Sequence, residues 1–170
     1  AVAGKGFLMN EFETFRSSLL KSYNRKNIFS ELVNMRTRIF QAKPLNPWDA
    51  KIGPGRLQDI DLLSQAGCLT GRSVSRSTVA GLEALIIDNF ITQKEFFEIK
   101  TAVTQLWSWQ IGLNILFKGQ VEFENLDVFD NEAKVEIFEK QTLTEIKNSL
   151  HHLSNKINKV IDKILSDKKD

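Results

Sequence analysis

The sequence is poor in the residues that build covalent or metal-centred chemistry. Its one cysteine, Cys68, excludes an internal disulfide and fits a reducing, cytoplasmic compartment. No histidine lies near Cys68 in sequence, so it reads as a structural thiol rather than a nucleophile. The two histidines, His151 and His152, are adjacent in a helical pattern; their side chains diverge, which argues against a shared metal site. Prolines number three, and two of them, Pro44 and Pro47, share one short stretch, so long uninterrupted helices are expected. No apolar run reaches the ~18 residues that span a bilayer, and Ala1 to Gly6 lack the basic-then-apolar pattern of a secretory signal. Neither a membrane nor nucleic acid is an expected partner: 23 basic against 21 acidic side chains leave a net charge of +2, with no dominant basic face. The chain does not begin with Met and reads as an excised piece of a longer protein.

Aromatic residues, in contrast, are plentiful. Twelve Phe and three Trp can build a substantial core, since each buried ring removes roughly 150–250 Å² from water. The apolar spacing predicts an all-α fold over residues 1–170, a single helical bundle of about six to seven helices. A long central helix and a long C-terminal helix are its main features.

The first predicted helix spans Phe7 to Tyr23, with Phe7, Leu8, Phe12, Phe15, Leu19 and Leu20 on a buried stripe. The second follows an Asn27 cap and runs to about Gln41, with Ile28, Leu32, Met35, Ile39 and Phe40 inward and Arg36 and Arg38 directed away. After a structured loop from Pro44 to Gly55, a third helix runs from Gly55 or Arg56 to about Ala66, where Gly67 and Gly71 mark its end. Ser77 or Thr78 opens the fourth, which Asp88 and Asn89 close.

Thr92 and Glu95 form a capping box for the central helix, which extends to about Phe117 before Gly119 and is apolar nearly all round its C-terminal half, Trp107 and Ile111 included. Residues 120–130 read as a loop and Glu132 to Lys140 as a short helix. Thr142 and Glu145 form a second capping box for the last helix. Its Leu143, Ile146, Leu150, Leu153, Ile157, Val160 and Ile164 make a heptad seam that packs within the domain or against a partner, ahead of a polar tail at 167–170.

No catalytic centre is expected. A nucleotidyltransferase needs a Gly-Ser turn and paired aspartates on a strand to hold its metal ions. The only comparable pair, Asp59 and Asp61, lies in a helical pattern, where positions i and i+2 point roughly 200° apart. Separate roles or plain surface charge follow for the two carboxylates. The most informative stretch runs from Trp48 to Asp61. Gly53 and Gly55 permit close backbone approach, the next helix directs its first amides at the same place, and Lys51 and Arg56 add positive charge. Such a corner holds a phosphate or a carboxylate from a neighbouring domain, or is simply a tight turn.

That stretch resembles the Asp-Leu-Lys-x-Gly-x-Gly-Gly-Leu-x-Asp-Ile-Glu-Phe signature of the glutamine synthetase adenylyltransferases, the bifunctional enzymes that attach AMP to glutamine synthetase and remove it. The matching residues are Asp49, Lys51, Gly53, Gly55, Leu57, Asp59 and Ile60, with Asp61 in place of Glu. Met35-Arg36 resembles the family's upstream Met-Arg pair, Val2-Ala3-Gly4 the segment leading into this domain, and Gln65 the Gln that follows. Three residues depart from the pattern: Ala50 for Leu, Arg56 for the second Gly of the pair, and Leu62 for Phe.

The resemblance implies the helical domain that follows the C-terminal nucleotidyltransferase domain, the half that adenylylates. It places ATP and Mg²⁺ on the parent enzyme and no cofactor on this chain. The implied partners are the preceding nucleotidyltransferase domain, glutamine synthetase and a PII-type signal protein. Arg36, Lys51, Gly53, Gly55, Arg56, Asp59 and Asp61 are the implied interdomain, nucleotide-facing residues. The alternative is a stand-alone helical protein-interaction module.

Overall fold

The computed structural model describes residues 6–22, 25–70, 77–116 and 134–166. In chain order these form α1 (Gly6–Ser22), α2 (Arg25–Ala42), α3 (Leu57–Leu69), α4 (Thr78–Ile87), α5 (Gln93–Leu116), β1 (Lys134–Val135), a 3-10 turn (Glu136–Phe138), β2 (Gln141–Thr142) and α6 (Leu143–Ser166). The fold is an all-α bundle, with β1 and β2 pairing antiparallel as the one small sheet among the described residues. Among the described residues, no helix is long and apolar enough to cross a membrane. Val2-Ala3-Gly4, Tyr23 at the expected end of the first helix, Gly71, the stop at Gly119, the 120–130 loop and the 167–170 tail lie outside the described residues.

The two 24-residue helices, α5 and α6, form the spine. Both predicted capping boxes are present. The Thr92 amide donates to Glu95 Oε2 at 2.8 Å and the Glu95 amide to Thr92 Oγ1 at 3.2 Å. The Thr142 amide donates to Glu145 Oε2 at 2.7 Å and the Glu145 amide to Thr142 Oγ1 at 3.1 Å. Each box satisfies backbone donors that a helix start otherwise leaves open. The α6 seam packs inside the domain: Leu143, Ile146, Leu150, Ile157 and Ile164 are buried and Leu153 and Val160 half-buried against the common core.

Helices α3 and α4 cross at glycines. A Cβ on Gly67 would meet the Gly81 carbonyl oxygen at 2.0 Å, and one on Gly81 the Ser64 oxygen at 2.2 Å. Gly67 therefore does not end α3, which continues to Leu69 because that glycine serves the crossing. On the other side, Phe138 of the 3-10 turn lies over Gly112 of α5.

Several expected positions differ. Asn27 lies inside the first turn of α2 instead of capping it. Glu132 to Lys140 is not a helix over its described part: β1, a 3-10 turn and a tight turn with positive φ at Glu139 and Lys140 fold it back into β2. Met35 faces outward and Arg36 inward, the reverse of the expected arrangement, because Arg36 finds a buried carboxylate partner in Asp59. Trp107 and Ile111 are about half exposed on the outer face of α5. Of the expected buried stripe on α1, Phe7, Leu8, Phe12, Phe15 and Leu19 are about half exposed or more and Leu20 is half-buried.

Candidate functional site

The corner between α2 and α3 is built as a clasp. Its turn is shaped by two short polar side chains. Asn46 Oδ1 accepts the Trp48 amide at 2.9 Å. Asp49 Oδ1 then accepts the amides of Lys51 and Ile52 at 2.7 and 3.2 Å. These side-chain-to-backbone bonds are the usual way Asx residues shape a turn. Trp48 is buried beneath the loop, with the Lys147 ammonium of α6 5.0 Å from its ring centre.

Gly53 and Gly55 have φ of +143° and +68°, and here glycine is needed. A Cβ on Gly55 would lie 2.0 Å from the Ser154 carbonyl oxygen and 2.6 Å from the Asn158 nitrogen, so the loop backbone rests directly on α6. The glycines thus approach another part of the same chain, not an outside ligand.

Asp59, fully buried, is the centre of the clasp. Its carboxylate accepts from Arg36 Nε at 2.5 Å and Arg36 Nη2 at 2.9 Å, a two-point pairing. The Gly55 amide donates to its Oδ2 at 2.8 Å. Arg36 reaches further, to Asp162 Oδ1 at 2.9 Å and Asn158 Oδ1 at 3.0 Å on α6. Burial opposes the Arg36 charge, but Asp59 and then Asp162 outweigh it and hold the guanidinium pKa above its ordinary value. One arginine thereby ties α2, α3 and α6 together.

Arg56 occupies an ordinary extended conformation, φ −100° and ψ 179°, so glycine is not required there. Its side chain folds inward, 2% exposed. Nη1 donates to the carbonyl oxygens of Asn46 at 2.6 Å, Ile52 at 3.2 Å, and Asp49. Burial lowers its pKa, with the Asp49 charge opposing. Arg56 therefore fills the loop from within and satisfies carbonyls that the turn would leave open.

The first amides of α3 are likewise taken internally. Leu57 donates to the Ala50 oxygen at 3.2 Å and Gln58 to the Lys51 oxygen at 2.9 Å. The expectation of a helix start open to an outside anion is corrected by these bonds. Of the seven site residues, Arg36, Gly53, Gly55, Arg56 and Asp59 come together inside the clasp. Asp61 stands apart, accepting from the Thr78 hydroxyl of α4 at 2.8 Å. Lys51 alone keeps its side chain at the surface.

The sequence reading missed Asn158 and Asp162. The signal was present: Ser154, Asn158 and Asp162 recur every four residues and form a polar stripe beside the α6 seam. Nucleophile and metal chemistry are thin. No group of three His, Cys, Asp or Glu side chains is placed to hold a metal ion among the described residues. Burial pushes the Cys68 thiol pKa up, with Arg16 opposing, which leaves it a poor nucleophile. No family model, curated protein or solved structure matches the chain.

Proposed function

We propose that the chain is a non-catalytic helical domain of a glutamine synthetase adenylyltransferase, working beside a nucleotidyltransferase domain that holds ATP and Mg²⁺. The observation that carries this reading is the ion pair between Arg36 and Asp59. The Met35-Arg36 pair and the Lys51–Asp61 segment are separate pieces of the resemblance, and the pair makes them one architectural unit. Gly55, within that segment, donates its amide to the same carboxylate. The pattern thus acquires a physical reason: it specifies a rigid corner that fixes three helices relative to one another.

On this reading the domain supplies shape, and the metal-binding aspartates belong to the preceding domain. Lys51 is the one signature cation whose side chain remains at the surface to meet a neighbouring nucleotide-handling unit. Glutamine synthetase and a PII-type signal protein are the partners of the parent enzyme, which works in the cytoplasm. The test is AMP transfer to glutamine synthetase by the full-length protein. Transfer is expected, and Lys51→Ala should lower it at least about tenfold, roughly the loss of one charge-assisted contact, while urea unfolding stays unchanged. A full-length protein that transfers no AMP overturns the reading; an unaffected Lys51→Ala confines the corner to holding the fold.

The second reading is a stand-alone interaction module. Its expected carrier, the α6 seam, is buried within the domain. The apolar face of α1 is the feature that favours it.

A further inference from the structure

A groove of about 620 Å³ lies between α5 and the hairpin. Its α5 wall runs from Phe97 to Ser108, a helical rise of about 16 Å. Trp109 and Phe138 are its buried members. Phe97 of α5 and Ile137 of the 3-10 turn are its exposed apolar members, at 55% and 41%. The Phe97 ring is set edge-on to Phe96 with centres 5.4 Å apart, which holds it in place.

The rest of the wall is mostly neutral and hydrogen-bonding. Thr101, Gln105 and Ser108 of α5 and Gln141 of β2 make no side-chain hydrogen bond among the described residues. Hydroxyls and carboxamides both donate and accept, so they suit a main chain whose own amides and carbonyls are open. A helix has already satisfied those groups, whereas an extended strand has not. Five extended residues at roughly 3.3 Å each match the length of the wall.

Of the two charged groups in the groove, the Lys100 ammonium is held 5.6 Å from the Phe96 ring centre. Glu139 has no ion pair among the described residues, so its carboxylate attracts a basic side chain and repels a phosphate. Glu139 and Lys140 also take consecutive positive φ, 54° and 63°. Stability alone favours glycine or asparagine in that conformation. Glutamate at this turn weakens the fold and gives the groove its anionic acceptor.

We infer that this groove binds an extended segment of another protein, about five residues long, with a large apolar side chain against Phe97 and Ile137 and an arginine or lysine on Glu139. The inference is independent of the adenylyltransferase reading, since it uses no residue of the clasp.

The probe is a positional library of blocked pentapeptides, titrated against the whole chain. Binders with Kd on the order of 100 µM are expected, because ordering a flexible peptide offsets much of the contact energy. They should carry a large apolar residue and an arginine or lysine. Gln105→Ala/Gln141→Ala should weaken the best of them about tenfold, with urea unfolding unchanged. Glu139→Gly should weaken it about as much, remove the basic preference and raise the urea midpoint, a combination that a purely structural glutamate would not give. A library with no binder below about 1 mM, a preference for acidic residues, or binders indifferent to these substitutions overturns the inference. So does a groove filled by a second copy of the chain, seen in sedimentation as a dimer that Phe97→Glu disperses.

Discussion

Arg36 Nε lies 2.5 Å from Asp59 Oδ1, and Arg36 Nη2 lies 2.9 Å from Asp59 Oδ2, so two residues 23 apart in sequence form a closed two-point pair in the interior. The pair also sets the dependence of α6 on the rest of the fold, because the same guanidinium reaches Asn158 and Asp162. Removing either partner alone strands a buried charge, which typically costs about 3–5 kcal/mol. Asp59→Ala should do so and should also orphan the Gly55 amide. Asp162→Ala should cost under about 1 kcal/mol, since that carboxylate is 55% exposed and water screens its share. Urea unfolding of the single variants and of Arg36→Met/Asp59→Leu checks this. The double variant should be less destabilised than the sum of the singles.

Gly55 and Arg56 are neighbours with opposite demands. Any side chain at Gly55 must displace α6, because its Cβ meets backbone atoms at 2.0 and 2.6 Å and its φ is +68°. Gly55→Ala should therefore cost roughly 2–4 kcal/mol through strain and lost packing and increase amide exchange along the middle of α6. Arg56→Gly should cost about 1–3 kcal/mol, because three carbonyl acceptors lose their donor in a dry site. The same substitutions made in Asp59→Ala should be smaller, as the loop is already released.

The helices were legible wherever local signals agreed. Thr92 with Glu95 and Thr142 with Glu145 state their helix starts in four residues, and the structure forms both boxes as expected. The α6 seam is periodic enough to mark the face that packs, but spacing left open whether it packs within the domain or against a partner. What failed depended on partners far away in sequence. Periodicity assigns Met35 inward and Arg36 outward, since it ranks side chains by apolarity; Asp59, Asn158 and Asp162 reverse that ranking by hydrogen-bonding the arginine. The same limit applies to the corner. Its glycines and cations were identified, but whether they face outward depends on α6, nearly a hundred residues later. For α1, spacing shows an apolar stripe without showing what covers it.

The capping glutamates make the fold sensitive to acid. Glu95 is opposed by burial but held below its ordinary value by the Thr92 amide and Lys163, and Glu145 is lowered chiefly by the Thr142 amide. A carboxylate whose folded pKa is depressed contributes stability that is present above its unfolded value and lost as pH falls through the folded value. Stability should thus be flat from neutral pH to about 4.5, the ordinary glutamate value, and decline below it. Glu95→Gln and Glu145→Gln should each flatten part of that decline while lowering stability at pH 7. Thr142→Ala should cost about 1 kcal/mol at neutral pH, read by thermal unfolding across a pH series.

Phe138 anchors the small hairpin to the spine. It is 5% exposed, and its ring covers Gly112, where a Cβ would come within 2.3 Å of the ring edge. The β1–β2 pair has only two residues per strand, too few to persist without a packed side chain. Phe138→Ala should cost about 3–5 kcal/mol by cavity formation and should expose the hairpin amides to exchange. Filling from the opposite side tests the same contact: Gly112→Ala gains helix propensity worth about 1 kcal/mol but collides with the ring. Alone it should destabilise, because the ring is held between α5 and the turn and cannot retreat. Combined with Phe138→Leu, which shortens the intruding group, it should recover most of the loss. If Gly112→Ala is neutral or stabilising on its own, the ring moves freely and Phe138 does not hold the hairpin in place.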